Sequence, residues 1–116
     1  MALSQSMEAL EKANRYRLAV AAKKRELGSL DFHAGRKALS EFILTCEDPA
    51  LLSGRVTWYL EAPVKTGPQA AARVMRAMNI RRHDARLRDL TMRQREVIAE
   101  AVLNQYRVDF PAKAAA

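Results

Sequence analysis

The run VKTGPQ, residues 64–69, brings together the residue types from which a backbone anion site is assembled. Gly67 leaves the main chain uncovered by a Cβ, so a ligand can come close to it. Pro68 has its φ preset for the first turn of a helix, and the leading N–H groups of a helix lack internal partners and carry partial positive charge. Such a turn can seat a phosphate. Lys65, just ahead of the glycine, can bring a flexible ammonium to the same phosphate. Glycine turns before helices are common, and this one alone does not select an anionic partner.

A second group of residues points the same way. RRHDARLRDLTMRQR, residues 81–95, holds six arginines, no lysine and two acids, Asp84 and Asp89. A guanidinium is a planar fork that can bond two phosphate oxygens and also fits a narrow minor groove, where negative potential is enhanced. Residues 65–95 carry nine basic against two acidic side chains, a net +7 that equals the formal charge of the whole 116-residue chain. Arg81, Arg82 and Arg93 are candidate contacts to a polyanion on charge and position. A charge run is usually a solvated face, but six arginines beside a phosphate seat exceed what solubility requires. Residues 1–30, six basic against three acidic, form a secondary positive surface with Lys12, Arg15, Lys23 and Lys24 as its candidate contacts.

Other chemistries lack parts. No paired carboxylates, nucleophile–base arrangement or nucleotide-binding loop stands out, so no enzyme is expected. His33 and His83 have no Cys or His partner at metal-ligand spacing, and no metal or other cofactor is expected. The single cysteine, Cys46, allows no internal disulfide and reads as a small, partly buried apolar residue in a reducing compartment. MALSQSMEALEK is no secretory signal, and no apolar run has the length of a membrane span. The expected setting is cytoplasmic.

The elements that must position these residues read as helices throughout. Ala, Leu, Met, Glu, Lys and Arg dominate, and no stretch alternates apolar with polar over a strand's length. A first helix is predicted from a cap at Ser6 to Leu27, with Gly28 as its stop. A second covers Phe32 to Leu44, and Asp48–Pro49 opens a short turn. A third spans Arg55 to Ala62 with Val56, Tyr59 and Leu60 inward, Trp58 at the core or its edge, and Pro63 as terminator. Pro68 starts a helix whose apolar stripe is Ala71, Val74, Met75 and Met78, with Arg73 and Arg76 facing away. The last helix follows a Thr91/Gln94 capping box, buries Val97, Ile98, Ala101 and Val102, and runs to about Tyr106. Three segments result: a helical extension (1–30), a compact domain (31–106) and a frayed tail (107–116).

The order helix, KTG turn, helix ending in MNI, arginine-rich connection, capped helix resembles the helix-two-turns-helix module. The match is closest to the actinobacterial integration host factor family. It is carried by YLEAPVKTGPQAAARVMRAMNI and RLRDLTMRQR, with EALEKA and SGRV upstream. The resemblance implies an all-α fold of about five helices, a long N-terminal helix followed by the compact module. It also implies a nucleoid-associated protein that binds double-stranded DNA through its backbone with little sequence preference and affects DNA shape, topology and site-specific recombination. Lys65, Thr66 and Gly67 match the family's phosphate-contacting turn, and Arg86 and Arg88 match its arginine cluster at the DNA groove. Glycosylases with a related module use an N-terminal proline and acid, which MALSQ lacks.

The expected partner is thus duplex DNA, with no membrane, no small-molecule substrate and a monomer in solution. Two other readings compete. One is a ribosomal, RNA-binding protein with the same module, against which stands the missing basic C-terminal tail. The other is a helical interaction module with an acidic protein partner.

Overall fold

A computed structural model describes residues 2–80, 82 and 84–107, with side chains from residue 6 onward. The fold is all-α, with six helices among the described residues: α1 (Ala2–Ser29), α2 (Phe32–Thr45), α3 (Pro49–Leu52), α4 (Val56–Leu60), α5 (Pro68–Ala77) and α6 (Met92–Leu103). A 3-10 turn, Leu87–Asp89, lies between α5 and α6.

Local signals open most of these helices. The Asp31 carboxylate accepts the Ala34 N–H at 2.8 Å to start α2, and Asp48 accepts the Ala50 N–H at 3.0 Å ahead of Pro49 in α3. At α6 both halves of the capping box form: Gln94 N–H donates to Thr91 Oγ1 at 3.1 Å and Thr91 N–H to Gln94 Oε1 at 2.9 Å. Pro68 occupies the first turn of α5.

The core is built chiefly where α2 packs on α6. Leu39 and Ile43 from α2 and Ile98 and Val102 from α6 are fully buried, and the Ser40 hydroxyl donates to the Ala99 carbonyl at 2.8 Å across this contact. Each such side chain contributes roughly 1.5–3 kcal/mol by leaving water. Val56, Tyr59 and Leu60 of α4, and Ala71, Val74 and Met75 of α5 with Met78 beyond it, join the same cluster as expected. So do Val20 and Leu27 of α1, which seat the second half of that helix on the domain.

α1 departs from its prediction at both ends. Ser6 lies inside the helix rather than at its cap, and the helix continues through Gly28 to Ser29. Gly28 serves packing instead of termination: a Cβ there would stand 3.1 Å from the Ala62 carbonyl oxygen. The last helix is shorter than predicted, ending at Leu103. Gln105 and Tyr106 take left-handed φ of 57° and 64°, which folds the chain back and buries Tyr106, whose hydroxyl donates to the Leu60 carbonyl at 2.9 Å. The expected frayed tail beyond Arg107 lies outside the described residues.

Candidate nucleic-acid interface

The KTG turn connects α4 to α5. Pro63 is buried and its carbonyl accepts the Thr66 N–H at 3.3 Å, which folds the turn before the helix begins. Lys65 is exposed and adopts a left-handed φ of 62°. Gly67 is the N-cap of α5 with φ −94°, a value open to any residue, and an added Cβ would meet nothing within 4 Å. What the glycine provides is therefore an uncovered approach to the backbone, not an otherwise inaccessible conformation. Thr66 is turned the other way: its Oγ1 is buried on the side of the Tyr106 phenol, so this residue offers a ligand its backbone rather than its hydroxyl. Burial pushes the Tyr106 phenol above its ordinary value.

The arginine-rich connection is fastened to the segment ahead of α4. Val56 N–H donates to the Ala85 carbonyl at 3.0 Å and Leu87 N–H to the Gly54 carbonyl at 2.9 Å, making an antiparallel bridge between Arg55 and Arg86. Leu87 is fully buried beneath it. Gly54 is required here, because a Cβ would overlap the Tyr59 ring.

The arginines of this stretch have different roles. Arg95 belongs to the scaffold: its Nε donates to the Ile43 carbonyl at 2.6 Å and a terminal nitrogen to the Cys46 carbonyl at 2.7 Å, closing the C-terminal end of α2 from α6. Arg86 is half-buried and donates to the Ser53 carbonyl. Arg82 is exposed and paired with Asp84 through two contacts of 3.2 and 3.3 Å, and that hydrogen-bonded pairing holds the Asp84 carboxyl below its usual value. Asp89 accepts the Arg86 N–H at 2.9 Å, so its carboxylate serves the backbone. Arg93 makes a long, exposed pair with Glu96 at 3.7 Å, of a kind worth little in water. Arg88 is exposed and in no ion pair among the described residues. Arg81 lies outside the described residues.

Two grooves gather these cations. One, of ≈ 860 Å³, runs between α4, the length of α5 and the connection; Pro68 lines one end of it, Arg55, Arg76 and Arg82 line it further along, and Glu61 is its one acid among the described residues. Arg55 and Arg76 were not site candidates on sequence. Arg55 enters through its bridge to Arg86, a pairing that no sequence spacing signals. The second groove, of ≈ 570 Å³, lies between α1 and Trp58 and is lined by Arg17, Lys24 and Arg86.

The secondary candidates on α1 diverge. Lys12 and Arg15 are exposed, Lys12 with its ammonium 5.5 Å from the Tyr16 ring centroid. Lys23 is drawn into the packing, 4.8 Å from the Phe42 ring centroid and 3.3 Å from Glu26. Lys24 stands 5.5 Å from the Trp58 ring centroid. Among the described residues no three His, Cys, Asp or Glu side chains form a metal-binding group, and no helix is long and apolar enough to cross a membrane. Cys46 is buried, and burial pushes its thiol above the ordinary value. Comparison with models of known families, with characterised proteins and with solved structures finds no match to this chain.

Proposed function

We propose that the chain is a non-enzymatic, nucleoid-associated protein that binds duplex DNA as a monomer, through the phosphate backbone and a groove, with little sequence preference. It would act on DNA shape and topology in the manner of the actinobacterial integration host factor family that its second half resembles. The observation that carries this reading is the groove along α5, from Pro68 to Ile80, in which Arg55, Arg76 and Arg82 gather from three separate segments; Glu61 is the one acid lining it among the described residues, and Asp84 pairs with Arg82 at its far end. Cations from separate segments gathered along one groove form an electrostatic footprint for phosphates. Lys65 and the uncovered Gly67 sit at the Pro68 end of this groove, where α5 begins, and Arg88 and Arg93 are further exposed cations. Lys12 and Arg15 on α1 offer a second surface, by which a small protein could grip one duplex over a longer track. Arginine suits backbone and groove contact, whereas base-specific reading would need a helix or ribbon placing side chains on base edges.

Competition separates this from RNA binding. Two unrelated duplex DNAs are expected to displace a labelled duplex equally well, and a duplex RNA of the same length to do so far less well. Equal or better displacement by RNA would assign the surface to a ribosomal or other RNA partner instead.

A further inference from the structure

The groove between α1 and Trp58 has a composition that backbone binding does not require. Trp58 is the chain's single tryptophan and is 37% exposed, while the adjacent Tyr59 is fully buried. The inward positions of α4 are Val56, Tyr59 and Leu60, so the core does not need a large ring at position 58. Its ring is instead held among cations, with Lys24 Nζ at 5.5 Å and Arg55 Cζ at 5.0 Å from the centroid. Tyr16 lines the same groove, and Arg17 and Arg86 stand with Lys24 along it; among the described residues no acidic side chain lines it. At ≈ 570 Å³ the groove is of the size that holds a small planar ligand.

Aromatic faces set among cations are the usual means of holding nucleotides whose bases are not stacked in a duplex: the base lies on the ring and the phosphates meet the cations. A base inside an intact duplex is covered by its neighbours and cannot use such a face. Arg86 lines this groove and also belongs to the connection bridged to Arg55, so a strand on the arginine face needs no long detour to reach Trp58. We propose that this groove receives an unpaired nucleotide, its base against Trp58 and Tyr16 and its phosphates met by Arg17 and Arg86, so that DNA with a bulged base binds more tightly than intact duplex. Lys24, at a loose 5.5 Å from the ring, is the side chain that moves aside to admit the base. The inference rests on the duplex-binding reading above, whose surface it extends.

Because Trp58 is the single tryptophan, intrinsic fluorescence reports this groove directly. The protein would be titrated with a duplex and with the same duplex carrying one extra unpaired adenine, following tryptophan quenching and, separately, affinity by anisotropy of a labelled strand. The bulged DNA is expected to quench Trp58 where the intact duplex does not, and to bind about tenfold more tightly, the scale of one stacked base. Trp58→Ala should abolish that preference while leaving intact-duplex affinity within about twofold, and Trp58→Phe should keep most of it. Tyr16→Ala, compared by circular dichroism and the same titrations, guards against a folding defect in Trp58→Ala and should also reduce the preference. Tight binding of both DNAs with no difference in quenching or affinity, or a preference unchanged in Trp58→Ala, would overturn the groove assignment and leave the duplex reading intact. Quenching by bulged DNA without any binding of intact duplex would support the groove and overturn the duplex reading.

Discussion

A methyl group added at Gly67 meets no atom of the chain within 4 Å, and the backbone there has φ −94°. Gly67→Ala is therefore expected to stay within about 1 kcal/mol of the parent in thermal stability, the lost freedom of the unfolded chain being offset by alanine's poorer fit at the N-cap of α5. It should nonetheless weaken duplex binding, since the Cβ occupies the approach to the turn. Gly54→Ala is expected to do the reverse: the new Cβ collides with Tyr59, and overpacking of this kind costs about 1–3 kcal/mol. The same contrast separates two arginines. Arg95→Ala removes both donors that close α2, with an expected loss of about 2–3 kcal/mol in urea unfolding. Arg88→Ala, on an exposed side chain, should fall within about 0.5 kcal/mol of the parent in the same experiment while lowering duplex affinity.

At the scale of elements, stability depends on caps as well as on the core. Thr91→Ala removes the acceptor for Gln94 N–H and is expected to cost about 1 kcal/mol by urea unfolding, with little effect on binding to DNA. This capping box was legible in the sequence because both partners lie within four residues, and the same holds for Asp48–Pro49 and for Pro68 at the head of α5. The apolar stripes of α4 and α5 were legible through their period. What could not be read depends on partners distant in the chain. Gly28 looked like a helix stop, but its reason is the Ala62 carbonyl packed against α1. Arg95 looked like a member of the positive face, but the carbonyls it bonds belong to the end of α2. Tyr106 looked like the last turn of α6, but the Leu60 carbonyl and the core hold it in a left-handed turn instead. In the candidate site, the exposure of Lys65, Arg82, Arg88 and Arg93 followed from local sequence. The partial burial of Arg86 and the recruitment of Arg55 follow from the bridge between their segments, which only the tertiary fold creates.

For the molecule as a whole, pH acts on folding through three buried groups, the Cys46 thiol and the Tyr59 and Tyr106 phenols. Burial raises the pKa of the Cys46 thiol above its ordinary 9.0 and those of both Tyr59 and Tyr106 above the ordinary 10.0. In the unfolded chain each group ionises near its ordinary value, so its contribution is complete below that value and is lost as pH rises through the folded one. Thermal melts are expected to fall from about pH 9, where the thiol of the unfolded chain ionises, and more steeply above about pH 10, and Tyr106→Phe should shallow the steeper fall. Salt acts instead on the proposed partnership. If phosphates are neutralised by Lys65 and the arginines of the α4–α5 groove and connection, binding must release condensed counterions. The most direct measurement is the affinity of the protein for a mixed-sequence duplex at a series of salt concentrations, for the parent and for Arg88→Ala. The expected result is a steep linear fall of log affinity with log salt, shallower by about one unit in the variant. No association at about 50 mM salt, or an affinity indifferent to salt, would contradict the account.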